Sequence, residues 1–130
     1  MIEFHLDSRS GVPTYLQLVQ QVRQAVRLGI LSSGDQLPTV KDVVSGLAIN
    51  PNTVLKAYRE LDREGLVEGR RGVGTFVSRT LPPLPPDRLT DLRSALQRWI
   101  DQARAAGLDE ENMSALFADT VRPPIVSRVA

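Results

Sequence analysis

Ile49-Asn-Pro-Asn-Thr-Val-Leu-Lys-Ala-Tyr-Arg-Glu-Leu-Asp-Arg-Glu-Gly65 runs directly into Leu66-Val-Glu-Gly-Arg-Arg-Gly-Val-Gly-Thr-Phe-Val77. Asn50 suits a helix cap, because its side-chain oxygen can accept from an otherwise orphan backbone N–H. Pro51 suits the first turn, where its missing N–H costs nothing and its φ is already set. Gly65 suits the position just past the end, where φ is usually positive. Between them Val54, Ala57, Tyr58 and Leu61 recur at helical spacing and form a buried stripe. Asn52, Thr53, Lys56, Arg59 and Arg63 fall on the opposite side. At 1.5 Å per residue this helix is about 20 Å long, and its diameter matches the major groove of DNA.

The polar face has the chemistry for such a groove. Asn can pair bidentately with adenine, Thr can bond a base or a phosphate, and Lys can reach guanine or phosphate. The first turns of a recognition helix meet base edges, and here they carry Asn50, Asn52, Thr53 and Lys56. Alone, a polar helix face is more often merely solvated. The segment that follows changes the balance. Leu66-Val67 and Thr75-Phe76-Val77 are β-prone, and Gly69, Gly72 and Gly74 lie between them. Glycines this dense mark unusual φ values or close backbone approach. Arg70 and Arg71 at the tip can enter a minor groove or clamp phosphates. A hairpin alone is most often a surface turn with solubilising charge. Helix and basic hairpin in this order are far more specific, and they predict a winged helix-turn-helix.

Leu37-Pro-Thr-Val-Lys-Asp-Val-Val-Ser-Gly-Leu-Ala48 reads as the first helix of the pair. Thr39 and Asp42 resemble a capping box, with Asp in the usual Glu/Gln place. Val40, Val43, Val44 and Leu47 form its apolar stripe, and Lys41 lies in its first turn, where a DNA backbone would pass. Further upstream a helix opens at Pro13-Thr-Tyr-Leu-Gln17. Thr14 and Gln17 fit a capping box, Leu18, Val22, Ala25 and Val26 form the stripe, and Gly29 ends it. Ser33-Gly34-Asp35 reads as a turn.

Pro13-x-Tyr15-x-Gln17, then Ile30, Gly34 and Leu37-Pro38, then Asn50-Pro-Asn-Thr-Val54, then Leu61-x-x-Glu64-Gly-Leu-Val67, then Gly72-x-Gly74-Thr-Phe-Val77 resemble the GntR family of bacterial winged-helix transcription regulators. The Asn-Pro-Asn-Thr-Val block and the short chain resemble its YtrA-like branch. The resemblance runs from about Pro13 to Val77 and implies a homodimer on a palindromic operator. It places DNA contacts at Lys41, which follows the Leu-Pro turn, at Asn50, Asn52 and Thr53, and at Arg71, Gly72 and Thr75 of the wing. Many members carry Arg where this chain has Lys41, and lysine lacks the planar fork for a bidentate guanine contact. Many also carry Arg in place of Pro51, so that base contact is absent here. Thr39, Lys56 and Arg70 complete the expected DNA-binding set.

Leu81-Pro-Pro-Leu-Pro-Pro86 reads as a stiff polyproline II spacer, which puts the domain boundary between 80 and 81. After it Leu89, Leu92, Leu96, Trp99, Ile100 and Ala103 recur on one helix face, and Gly107 ends that helix. Asp109 reads as a new cap, with Glu110 and Glu111 favourable in the first turn. Leu108 and Met113 are spaced for a hydrophobic staple, and Met113, Leu116 and Phe117 form the apolar side of this short helix. Two helices of this size do not make a core of their own. Their stripe either folds back on the first domain or pairs with a second copy. The spacer argues for pairing, and the resemblance implies it, since the YtrA-like tail is a helical dimerisation unit. Leu92, Leu96, Trp99, Ile100, Leu116 and Phe117 are the expected interface, with Trp99 as anchor. Val121 to Ala130 reads as a frayed tail.

The chain has 130 residues and a formal net charge of +1. Residues 1–80 carry ten Lys/Arg against eight Asp/Glu, and residues 81–130 six against seven. A diffuse basic surface is therefore excluded, and any positive field is local, at Lys41, Lys56, Arg70 and Arg71. There is no cysteine and one histidine, His5, which excludes disulfides, thiolate sites and histidine-cluster metal sites. The N-terminus lacks a long apolar run, so neither a secretory signal nor a membrane span is expected. No nucleophile–base arrangement stands out, and no cofactor is called for.

These readings combine into a mainly α chain, a winged helix-turn-helix domain over 1–80 and a two-helix dimerisation extension over 81–130. The expected function is sequence-specific DNA binding by a cytoplasmic homodimeric regulator, a repressor on an inverted repeat. The family implies frequent control of transporter operons. An effector, if one exists, must act at the dimer interface or between the domains. The competing reading is a winged-helix module for protein docking, which near-neutral charge favours slightly.

Overall fold

The computed structural model describes residues 2–78 and 85–122. Most of the expected spacer, at 81–84, and most of the expected tail, at 123–130, lie outside the described residues. Two compact units fall on either side of 79–84. The first holds helices α1 (Thr14–Arg27), α2 (Val40–Leu47) and α3 (Pro51–Arg63) and strands β1 (Val67–Arg70) and β2 (Gly74–Val77). The second holds α4 (Pro86–Ala105) and α5 (Glu110–Val121).

Helix α3 is the centre of the first unit, with α1 and α2 packed on it and β1 following from its end. Its Val54, Ala57 and Leu61 are fully buried, against Leu18, Val19 and Val22 of α1. Each of the Val and Leu side chains among them contributes about 1.5–3 kcal/mol by leaving water. The expected stripe is thus the observed core, extended by Val19. The cap also forms as expected: the Asn50 side chain accepts from the Asn52 N–H at 2.8 Å, and Gly65 follows the helix at φ +78°. Helix α2 is capped by Thr39, whose hydroxyl accepts from the Asp42 N–H at 3.1 Å. It ends differently from any glycine rule, at Ala48 with φ +53°. A left-handed alanine is strained by its own Cβ. It turns the chain from α2 into α3 within the short link.

One expectation is corrected. Thr14 does not cap α1, because Pro13 occupies the cap position and Thr14 is already helical. Gln17, freed from any box, turns to the segment before the helix. It accepts from the Asp7 N–H at 2.8 Å and donates to the Asp7 carbonyl at 2.9 Å, and also to Ser10 Oγ and the Val12 carbonyl. One turn on, Gln21 treats His5 alike, accepting from its N–H and donating to its carbonyl. Side chains four apart on a helix are neighbours, while His5 and Asp7 are alternate residues of an extended segment. The chain start therefore runs antiparallel along α1, pairing its backbone with two side-chain amides, and it inserts Phe4 into the core.

Ser33-Gly34-Asp35 forms the expected turn, with the Asp35 N–H donating to the Ser32 carbonyl at 3.0 Å, and it also joins the hairpin. Gly34 N–H donates to the Val77 carbonyl, Val77 N–H to the Asp35 carbonyl and Leu37 N–H to the Thr75 carbonyl, each at 2.8 Å. This segment borders β2 on the side away from β1, so it braces the hairpin against the core.

In the second unit α4 begins one residue earlier than the spacer reading allowed, with Pro85 at the cap and Pro86 at the first helical position. Proline is tolerated there because the first N–H groups of a helix have no internal partner. Asp109 caps α5, accepting from the Asn112 N–H at 2.7 Å. Ala103 and Met113 are the buried apolar residues of this pair, while Leu92, Leu96, Leu116 and Phe117 remain exposed. Among the described residues, no helix is long and apolar enough to cross a membrane.

Candidate nucleic-acid interface

Three stretches of the first unit carry the expected contacts: the start of α2, the start of α3 and the hairpin. The first turn of α3 exposes Asn52 and half-exposes Thr53. Asn50 is exposed as well, but its side-chain oxygen is committed to the cap. Its amide N–H groups can still donate outward. Thr39 is in the same position, since its hydroxyl oxygen accepts the α2 cap bond and retains a proton to donate. Lys41 is exposed in the first turn of α2.

Lys56 does not extend freely. Its ammonium rests over the Tyr15 ring, 4.0 Å from the centroid. Tyr15 is the second residue of α1 and is packed partly into the core. This places the opening of α1 beside α3.

The hairpin is a tight antiparallel pair in the register Val67↔Val77, Glu68↔Phe76, Gly69↔Thr75 and Arg70↔Gly74. Arg71, Gly72 and Val73 form the loop, closed by the Val73 N–H donating to the Arg70 carbonyl at 3.0 Å. Arg70 is therefore the last strand residue, not part of the loop. Its guanidinium stacks on Phe76, 4.5 Å from the ring centroid, a diagonal neighbour across the strands. Arg71 and Gly72 are exposed. Thr75 is half-buried, with its carbonyl taken by Leu37. Gly74 has φ +140°, and a Cβ there would come within 2.5 Å of Gln36 Nε2, so no other residue fits without displacing Gln36. Gln36 itself donates to the Val73 carbonyl at 3.4 Å.

Two of the four cations that carry the local positive field are thus held by aromatic faces. Tyr15, Phe76 and Gln36 had no assigned role at the site. Tyr15 stood inside the Pro-x-Tyr-x-Gln motif and Phe76 inside a β-prone run, but neither signal says which cation the ring will meet. The orientation of α3 rests on two further contacts. The Tyr58 hydroxyl donates to the Pro38 carbonyl at 2.6 Å, and Arg23 of α1 pairs with Glu64 at 2.6 Å. Burial, and then the Asp42 carboxylate, push the Tyr58 pKa well above the ordinary phenol value, so its proton stays in place as donor.

The six apolar residues expected at an interface all lie in the second unit. Leu96, Trp99, Ile100 and Phe117 line a groove between α4 and α5 with Met113 and Arg104. Leu92 is 63% exposed and stands outside it.

The pattern of the family described as bacterial regulatory proteins, gntR family, matches residues 14–77. The chain is similar to the HTH-type transcriptional repressor YtrA of Bacillus subtilis (strain 168), with 38% identity covering 83% of this chain and 84% of the relative. It is similar to an HTH-type transcriptional regulator of Mycobacterium tuberculosis, with 39% identity over 82% of this chain and 84% of the relative. Among solved structures it is similar to YtrA from Sulfolobus acidocaldarius, a GntR-family transcription factor, at a TM-score of 0.55 and 28% identity, covering 78% of this chain and 97% of that one.

Proposed function

The chain belongs to the GntR family of bacterial regulatory proteins, and on that footing we propose that it is a homodimeric repressor that binds an inverted-repeat operator. That it is a DNA-binding transcription regulator follows from the family; operator reading, dimerisation and repression are our extension. The observation that carries operator reading is that Asn52 is exposed and Thr53 half-exposed at the first turn of a helix whose other face is buried. In this reading the start of α3 enters the major groove. Asn52 and Thr53 read base edges, with Asn50 donating from its amide. Lys41 and Lys56 take phosphates, as does the Thr39 hydroxyl as donor. Arg71 and Gly72 at the wing loop, with Thr75 and Arg70 beside them, follow the backbone into the neighbouring minor groove.

Two copies joined through α4 and α5 would set two recognition helices about 34 Å apart, one turn of DNA. The exposed apolar stripe of Leu92, Leu96, Leu116 and Phe117 supports that pairing, because two isolated helices bury too little to stand alone. The YtrA relative is named a repressor, which supports repression here. A transporter operon is the proposed target, and the cytoplasm the proposed compartment. A small-molecule effector, if one exists, acts by favouring one arrangement of the two copies.

The test is a mobility shift with a duplex from the chain's own upstream region, across a salt series. Retention of that duplex over random DNA, weakening steeply with salt, supports the proposal. A folded dimer with no preference at low salt supports a protein-docking module instead.

A further inference from the structure

We propose that Tyr15 is a positioning residue for DNA binding: its ring face holds the Lys56 ammonium where a phosphate will be met. The proposal rests on the DNA-binding reading above and names a residue that reading does not use. The geometry is the 4.0 Å approach of Lys56 Nζ to the Tyr15 centroid. Lys56 lies one turn after Asn52 and Thr53 on α3, on the flank that faces the opening of α1. Tyr15 is not itself free to move, because it is packed against the core at the second position of a well-formed helix.

A lysine side chain on a helix surface samples many rotamers, and fixing it on a ligand loses that freedom. A ring already in place removes part of the loss before DNA arrives. The attraction is between the positive charge and the negative face of the ring. An ammonium has three donors and no acceptor. The ring occupies one side of it and leaves the outer donors to a phosphate oxygen, so both partners are served at once. A second cation in the same unit is held in the same way, with Arg70 on Phe76. A chain with a net charge of only +1 gains from such placement. So small a net charge supplies little general attraction to DNA, so the aim of each cation at the site matters more.

The experiment is a double-mutant cycle on the upstream duplex that the wild type retains, with Tyr15→Leu, Tyr15→Phe, Lys56→Gln and the Tyr15→Leu/Lys56→Gln pair. Tyr15→Met replaces Leu if Leu unfolds the domain. Tyr15→Leu is expected to weaken binding about two- to fivefold. Tyr15→Phe, which keeps the ring, should bind as the wild type does. In the Lys56→Gln background the loss of the ring should cost nothing more. In the DNA-free protein, the Lys56 ε-methylene proton resonances should be shifted upfield by the ring in wild type and Tyr15→Phe, and not in Tyr15→Leu. An equal loss from Tyr15→Leu with and without Lys56 overturns the proposal, as does a Phe variant as weak as Leu, which would assign the effect to the hydroxyl. Tighter binding by Tyr15→Leu also overturns it, since the ring would then be sequestering the lysine. If the wild type shows no preference for the duplex, the DNA reading itself falls. If it binds and the cycle is additive, only the role of Tyr15 falls.

Discussion

The Tyr58 hydroxyl, buried in α3, donates to the carbonyl oxygen of Pro38 at the entrance to α2, across 2.6 Å. One hydrogen bond thus ties α3 to the turn that leads into α2. Both groups are buried, so neither has water as a substitute. Tyr58→Phe is expected to lower stability by about 1–2 kcal/mol, the cost of leaving the carbonyl unpaired, read as a lower urea midpoint.

The same phenol makes a pH prediction. Burial and then Asp42 raise its pKa above the ordinary value of 10.0. A raised folded pKa means stability that is complete below the unfolded value and is lost as pH rises above it. The stability gap between wild type and Tyr58→Phe should therefore be constant from neutral pH to about pH 9 and narrow above about pH 10. A gap that widens in alkali would contradict the assignment.

Asn52→Ala and Thr53→Ala should each weaken operator binding by about 1–3 kcal/mol, or roughly 5- to 150-fold, if they meet base edges. Random-DNA binding should fall much less. Equal losses on both duplexes would mean that these residues touch only phosphate. Arg71→Gln, by contrast, should weaken both alike and reduce the salt slope by about one.

Ala48 carries φ +53° without being glycine. Ala48→Gly should relieve that strain and stabilise the domain by about 0.5–1 kcal/mol, net of the extra freedom glycine has in the unfolded chain. Thermal unfolding reads the gain, and a lower Tm would show that the turn needs its Cβ.

Gln17→Ala removes the amide that holds Asp7, Ser10 and Val12. The Asp7 amide should then exchange with solvent far faster, while amides in the middle of α3 speed up only as far as the drop in overall stability, about 1–3 kcal/mol, allows. Unchanged protection at Asp7 would show that Phe4 alone anchors the segment.

Leu92 and Phe117 are 63% and 56% exposed on the face proposed to pair. Leu92→Glu and Phe117→Glu should each move the protein toward monomer in sedimentation, by about 2 kcal/mol or more if they are anchors. Trp99→Ala is expected to do the same. Trp99 is half-buried within its own helix pair, so its effect tests packing together with pairing. A dimer unchanged in all three would place the interface elsewhere.

Sequence alone determined the parts of this protein that depend on neighbours a few residues apart. Asn50, Pro51 and Gly65 bound α3, Val54, Ala57, Tyr58 and Leu61 face inward, and Asp109 caps α5, because caps and stripes act within one or two turns of the chain. The tertiary structure decided what depends on partners far along it. Only packing brought Lys56 over Tyr15, Tyr58 to Pro38, and the segment 34–37 alongside β2. Gln17 and Gln21 are ordinary polar positions until an extended segment lies against them, and Ala48 gives no local sign that its φ will be positive. A helix signal is written in each residue's own backbone preferences, whereas a side chain's partner is set by which surfaces meet once the whole core has closed.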